Sequence, residues 1–439
     1  MLTREENDLL TRVGPGTPMG DMMRRYWLPA ILSREIADPD GTPKRVRLLG
    51  ENLVAFRDSS GRVGVMDELC PHRGASLVLA RNENDALQCL YHGWRIAADG
   101  EIVETPCEPE DSDFKDRIRH VAFPVREMGG VVWVYMGPPG TEPDLPDFAW
   151  THLPPENVSI IKMRIECNWA QSLEGVIDSA HSNFLHSTEI VPSEKAASLG
   201  GASVFHRADM TRTVDRPSND GRPRMETQDT AYGFRYAAIR KPLRDADKNK
   251  YIRVSLFAAP FYGFFPTPEG FGAMQAFVPI DDETSFFYFA QYCFNGPVDH
   301  ENLEYRSGAR MGIDMDENYR KIRTVENNFL QDRELMKSRK SFSGIFGVNM
   351  QDIAVQESMG RIYDRTREHL GVSDVAVIRF RRIMLDAARQ FAETGATPPA
   401  LQGGVPYSQL RAQEKIIPIE DSWLTIGAFA GEPTEVGSR

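Results

Sequence analysis

The sequence predicts an α+β protein of two domains, a small all-β domain followed by a larger domain of strands and separate helices. Three observations predict it. Short strand-like segments separated by turns run from about Val46 to Met136. The densest Pro/Gly stretch of the chain, Gly137 to Pro146, follows them and reads as a linker. Beyond it, strand-rich residues 200–295 give way to helical segments, the order expected of an α+β domain. The expected domains are therefore 1–146 and 147–439.

Residues 3–28 read as a helical lead-in to the first domain, interrupted at Gly14-Pro15-Gly16-Thr17-Pro18-Met19-Gly20. Two prolines, the wrong spacing and the lack of a preceding strand exclude a dinucleotide fingerprint there and leave a turn. Val54–Arg57 and Arg62–Met66 flank Asp58-Ser59-Ser60-Gly61, a hairpin signal. Trp94–Ala97 and Glu101–Glu104 flank Ala98-Asp99-Gly100, where Asp-Gly favours a tight turn. Val131–Tyr135 reads as a buried strand. After the linker, Cys167–Ser187 suits a helix. The aromatic runs Phe261–Phe265 and Phe286–Phe289 fall among strands and are assigned to the core, with no functional role. Residues 299–340 are charged and suit helix or mobile loop. Asp352–Leu370 and Val375–Glu393 have the apolar spacing of amphipathic helices.

Bulk properties exclude several classes. Hydrophobic residues make up 41% of the chain, too many for wholesale disorder. The formal net charge of −12 disfavours nucleic acid or an anionic membrane as partner. It does not disfavour an anionic small molecule, because a buried pocket sets its own field. Met1–Leu10 is charged where a secretory signal needs an apolar core, and no apolar run is long enough to cross a membrane. The five cysteines, Cys70, Cys89, Cys107, Cys167 and Cys293, are an odd number and do not suggest a disulfide framework. A cytoplasmic protein with reduced thiols is expected, some of them on metal.

Two constellations carry chemistry. In the first, Cys70-Pro71-His72 is followed by Cys89-Leu90-Tyr91-His92, so each arm supplies one thiolate and one imidazole. A two-iron cluster can use this split, with both thiolates on one iron and both imidazoles on the other. That is the Rieske arrangement, whose neutral imidazoles raise the reduction potential. Structural zinc sites usually group like ligands within an arm. Gly74 and Gly93 are expected to bring backbone amides close to the cluster sulfurs. Cys107, Cys167 and Cys293 lack a paired histidine and are read as ordinary buried thiols.

In the second, Asp178, His181 and His186 lie together early in domain two. Asp178 and His181, three apart, share a helix face. His181 and His186 are five apart, so a bulge or a helix end is needed to converge them. Two imidazoles and one carboxylate leave open positions on Fe(II), which suits oxygen activation. The expected carboxylate is Asp352, just before an amphipathic helix, with Asp364 and Asp374 as alternatives.

With both motifs in this order, the chain resembles the Rieske non-haem iron ring-hydroxylating oxygenases over essentially its whole length. Thr3–Leu10, Met23-Arg24-Arg25-Tyr26-Trp27 and Asn349–Arg365 look like the phthalate dioxygenase branch. The resemblance implies an N-terminal Rieske [2Fe–2S] domain and a C-terminal helix-grip catalytic domain with an antiparallel sheet. It implies a [2Fe–2S] cluster, a mononuclear Fe(II), and a homo-oligomer built from trimers, as a trimer or a stacked hexamer. It also implies a separate reductase carrying flavin and a [2Fe–2S] centre, since no nicotinamide or flavin motif is found here. In the family the acid matching Asp178 bridges a cluster histidine, here His92, of one subunit to an iron-bound histidine, here His181, of the next. A carboxylate accepting N–H bonds from both rings would orient and couple them.

The branch points to an aromatic dicarboxylate such as phthalate, converted with O2 and NADH-derived electrons to a cis-4,5-dihydrodiol. A buried dianion needs cationic partners, for which arginine suits best. Arg207, Arg240, Lys241, Arg244 and Arg253 are candidates, with Arg207 and Arg244 favoured as the carboxylate clamp and Ser179 as a hydroxyl contact. Two alternatives stand beside this reading. One is a monooxygenase or O-demethylase of another aromatic acid. The other is a non-catalytic Rieske electron carrier, which would have no need of residues 147–439.

Overall fold

The protein was analysed as a computed structural model that describes residues 1–198 and 214–427. These fall into two units, residues 12–146 and residues 1–11 with 147–427. The lead-in expected within the first domain is thus divided. The helix Arg4–Thr11 belongs to the second unit, because its Asn7 is held there. Asn7 Nδ2 donates to the Tyr363 carbonyl at 3.1 Å, and Arg365 donates to Asn7 Oδ1 at 3.0 Å. Only the second helix of the lead-in, Pro18–Met23, stays with the first unit.

The unit 12–146 is built from three small antiparallel sheets. Trp27–Leu32 pairs with Val131–Tyr135, all five residues of which are buried, and that strand pairs with Val125–Met128. Glu51–Arg57 pairs with Val63–Asp67 across the expected hairpin turn. The third sheet holds Arg81–Glu83, Ala86–Gln88, Arg95–Ala97 and Ile102–Glu104. Its Asp-Gly turn closes where Gly100 N donates to the Ala97 carbonyl. Phe56, Met66, Leu87, Trp94 and Ile96 form a core, and Cys70 and Cys89 belong to the same cluster. The two thiols therefore rise from packed apolar side chains.

The second unit is organised around an eight-stranded antiparallel sheet. Its strands run in the order Val158–Ile165, Ser285–Cys293, Phe271–Pro279, Tyr262–Phe264, Asn249–Ala258, Gly233–Arg240, Arg224–Thr230. Tyr262–Phe264 has three residues and covers only Leu256–Ala258 of the strand Asn249–Ala258, so the rest of that edge, Asn249–Val254, is taken by Gln413–Pro418. Alternation sets the two faces. Ala237, Ile239, Ile252 and Val254 point to one side and pack with Ile417, Trp423 and Ile426. Phe234, Tyr236 and Phe257 point to the other, where the helices lie. Phe380 of the helix Val375–Thr394 meets Phe257 and Trp169 edge-on at 5.1 and 5.9 Å.

Two helices differ from expectation. Trp169–Ile177, capped by Asn168, stops ten residues short of the expected end at Ser187. Asp178 turns its carboxylate back onto Ala180 N at 2.7 Å, and Arg240 draws on the Ser179 carbonyl at 2.8 Å. Both bonds favour a turn over further helix. The other helix spans Val348–Ser358 rather than Asp352–Leu370, ending before Gly360 in the left-handed region. Asp352 is therefore inside that helix. Residues 299–340 hold three short helices, His300–Ser307, Val325–Leu330 and Arg333–Lys337, joined by irregular chain.

Candidate active site and metal centres

In the first unit, the two cysteine arms are near copies of one loop. Gly74 N donates to the Cys70 carbonyl and Gly93 N to the Cys89 carbonyl, both at 2.9 Å. Cys70 N donates to Ala75, and Cys89 N to Trp94, each five residues on. Both glycines have positive φ, +73° and +74°, which a side chain resists. The glycine amides thus close the loops, and in the first arm the backbone amides of His72 and Arg73 serve the Cys70 sulfur. The two thiols are buried, whereas His72 and His92 are half-exposed, their rings 4.4 Å apart and edge-to-face. Trp94 stacks on His72 at 4.8 Å. His72 Nδ1 is buried without a hydrogen-bond partner, and burial pushes the Cys70 thiol up to about 11. A buried thiol pair and an orphaned imidazole nitrogen fit a metal cluster, which would supply the missing charge and the missing bond. Cys107 differs from the expected buried thiol. It is exposed, 3.6 Å from the His92 carbonyl.

In the second unit, His181, His186 and Asp352 converge, with one donor atom from each within 4.8 Å of the others. Asp352 Oδ1 lies 3.0 Å from His186 Nε2 and 3.4 Å from His181 Nε2. The helix end at Ile177 makes this possible. The chain passes through a 3₁₀ turn, His181–Asn183, before His186, which brings the two rings to 5.2 Å. Burial opposes charge on His186, but the Asp352 carboxylate beside it holds its pKa above the ordinary value. Burial alone would raise Asp352, yet the two imidazoles keep it below the usual carboxylate range. In that pair a proton on His186 stands where a bound cation would balance the Asp352 carboxylate. His181 Nδ1 is buried without a hydrogen bond and faces Asp178 Oδ2 at 3.7 Å. These donors fit a divalent iron with open positions. Asp364 and Asp374 are engaged elsewhere, with Thr366 and with the Gly371 amide.

A cavity of about 180 Å³ adjoins this triad. That is the scale at which a cavity of roughly 150 Å³ takes up benzene. Phe265, Phe277, Phe287 and Phe289 wall it, so the aromatic runs assigned to the core contribute directly. Ser179 lines it too. Among the described residues the cations that line it are Arg216, Arg253 and Arg306, and the carboxylates are Asp178 and Asp352 at the metal end. Of the favoured clamp, Arg207 lies outside the described residues. Arg244 does not line the cavity. Its side chain is 53% exposed and pairs with Glu194 at 2.6 Å. Arg240 and Lys241 do not line it either. Arg240 serves Ser179 and Asn183 instead.

Arg216 and Arg306 went unnoticed in the sequence. Arg216 is 2% exposed, donates to the neutral Ser182 Oγ at 3.2 Å and Asn183 Oδ1 at 3.4 Å, and leaves its Nε without a partner. Burial and the nearby Arg253 push its pKa down to about 9, which still leaves it charged at neutral pH. No local signal marks it. It reaches the site because Val214–Arg216 pairs in parallel with Ile190–Pro192.

Comparison with known proteins agrees with this geometry. Residues 26–125 match the family described as "Rieske [2Fe-2S] domain", and residues 134–436 that described as "LigXa C-terminal domain like". The chain is 48% identical to the phthalate 4,5-dioxygenase oxygenase subunit of Pseudomonas putida, over 89% of this chain and 87% of that one. It is 36% identical to the 3-chlorobenzoate-3,4-dioxygenase oxygenase subunit of Comamonas testosteroni, over 97% and 98%. In fold it resembles crystalline dicamba monooxygenase bound to dicamba, with a TM-score of 0.56 at 17% identity, covering 84% of this chain and 98% of that one. No helix among the described residues is long and apolar enough to cross a membrane. This chain belongs to the Rieske non-haem iron oxygenases, ring-hydroxylating enzymes whose oxygenase subunits carry a [2Fe–2S] cluster and a mononuclear iron and take electrons from a separate redox partner.

Proposed function

We propose that this chain dihydroxylates the ring of an aromatic dicarboxylate, converting phthalate to its cis-4,5-dihydrodiol. The balance is dicarboxylate + O2 + NADH + H⁺ → dihydrodiol + NAD⁺, with the NADH electrons arriving through a reductase that carries flavin and a [2Fe–2S] centre. The observation that carries the reading is the polarity of the cavity. Arg253 is already paired with the buried Glu414 at 2.9 Å, whereas Arg216 bonds only the neutral oxygens of Ser182 and Asn183 and leaves its Nε without a partner among the described residues. A buried guanidinium bonded only to neutral oxygens calls for an anion, and a phenylalanine-walled cavity for a flat ring. The similarity to a phthalate dioxygenase subunit points the same way.

In this reading Cys70 and Cys89 hold one cluster iron, and His72 and His92 the other. His181, His186 and Asp352 hold the mononuclear iron, which supplies the binding and activation of O2. Arg216 and Arg253 face the substrate carboxylates, and Ser179 adds a hydroxyl. The phenylalanine walls exclude water and set the ring's approach. Asp178 faces His181 Nδ1 at 3.7 Å and, in a ring of three chains or two such rings stacked, accepts a hydrogen bond from His92 of a neighbouring copy. The half-exposed setting of His92 within its own unit suits that role. The assembly works in the cytoplasm, where NADH is supplied.

The test is product analysis. Purified oxygenase with NADH, a phthalate-type reductase and labelled O2 should give a dihydrodiol carrying both oxygen atoms, and His181→Ala should give none. Formaldehyde from a methoxylated acid, with phthalate untouched, would identify a demethylase. A His181→Ala protein turning over at the parent rate would leave only an electron carrier.

A further inference from the structure

His186 is held from both sides. Its Nε2 faces Asp352, and its Nδ1 lies 2.8 Å from Gln351 Oε1. Gln351 is wholly buried, and its amide nitrogen donates to Glu189 Oε1 at 2.8 Å and to the Ile345 carbonyl at 3.0 Å. Glu189 is tied back to the ligand's own turn, its backbone N donating to the His186 carbonyl at 3.0 Å.

An ionised carboxylate and a backbone carbonyl can only accept hydrogen bonds. With both on one side of Gln351, its NH2 must face them and its oxygen must face His186. That oxygen also only accepts, so His186 Nδ1 must carry the hydrogen. Nε2 is then the nitrogen left for the metal, which would take the place of the proton that Asp352 otherwise accepts there. The neighbouring side chains, rather than any choice of amide orientation, dictate this polarity. We propose that Glu189, acting through Gln351, is a positioning residue that locks His186 in its metal-binding tautomer. Outer partners of this kind hold a ligand's orientation as well as its protonation. The same helix turn thus delivers a ligand, Asp352, and the side chain that orients another. The inference rests on His186 being a ligand of the mononuclear iron.

The experiment is Fe(II) titration of the full-length oxygenase, stripped of its mononuclear iron with the cluster retained. Cobalt(II) in the same site gives a second, spectroscopic readout. Glu189→Gln removes the charge and keeps an acceptor oxygen, so its affinity should stay near the parent. Glu189→Met removes both and should weaken Fe(II) by about tenfold, the low end for such partners, because the Ile345 carbonyl still holds one amide hydrogen. Gln351→Met removes the whole relay, should approach a hundredfold loss, and should alter the cobalt spectrum. Equal losses in Glu189→Gln and Glu189→Met would reduce Glu189 to a charge and overturn the relay. Parental affinity in Glu189→Met and Gln351→Met would also overturn it. Parental circular dichroism and thermal midpoint report that each variant is folded, and Glu189→Ala replaces any Met variant that is not. His186→Ala separates the two levels, since undiminished metal binding there would sink the ligand assignment itself.

Discussion

Arg216 and Arg244 pose opposite questions at the scale of single residues. The first is buried against the cavity, and the second is exposed and paired with Glu194. Arg216→Met should raise KM for a dicarboxylate by roughly 10–100-fold, the worth of one charge-assisted bond, with a smaller effect on a monocarboxylate. Arg244→Ala should change KM little, and steady-state kinetics on both substrates checks the pair. Asp178 supplies a second prediction. Burial alone would raise its pKa, but His181 and the amides of Ala180 and His181 hold it below the usual range, so it is a carboxylate at neutral pH. Asp178→Asn should keep both metal centres yet slow cluster oxidation by roughly 10–100-fold in rapid mixing with substrate and O2. The cysteine and histidine arms were legible in the sequence because a cluster demands its ligands at short, fixed spacing. Arg216 was not, because only a non-local strand pairing brings it to the cavity.

At the scale of elements, the helix Trp169–Ile177 sets the metal end in place, and one buried carboxylate anchors it. Glu174 accepts from Arg365 at 3.0 and 3.1 Å and from Arg381 at 2.7 Å, and Arg381 also bonds Glu368 at 3.0 Å. Burial works against the Glu174 charge, but the two guanidiniums more than offset it and its pKa falls. A folded carboxyl titrating below its unfolded value of about 4.3 adds stability above that pH. The contribution fades as pH drops through the lowered folded value. Glu174→Gln should therefore cost on the order of 3 kcal/mol at neutral pH, by stranding the buried Arg365 while Arg381 keeps Glu368, and the deficit should shrink in acid. Thermal unfolding across pH measures both. The helix's existence was readable from its apolar spacing, but its end was not. That end depends on Arg240, which lies sixty-one residues beyond the Ser179 carbonyl it bonds.

For the whole molecule, the linker showed in composition, and so did the change from short hairpins to a large sheet with helices. The placement of Arg4–Thr11 did not, because contacts of Asn7 with residues more than three hundred positions away decide it. The two centres should part company on metal removal. The first offers four ligands to a closed cluster, and the second three ligands with open positions. An Fe(II) chelator applied anaerobically should abolish turnover while leaving the cluster's visible spectrum, and added Fe(II) should restore activity. Simultaneous bleaching would contradict separate sites. The three-residue strand Tyr262–Phe264 has its own consequence. Because that strand stops early, Phe265 to Pro268 leave the ladder and run along the cavity wall. Side chains there can be exchanged without breaking a rung of the sheet. Evolution can therefore remould this enzyme's diet at that stretch while the iron-holding framework stays untouched.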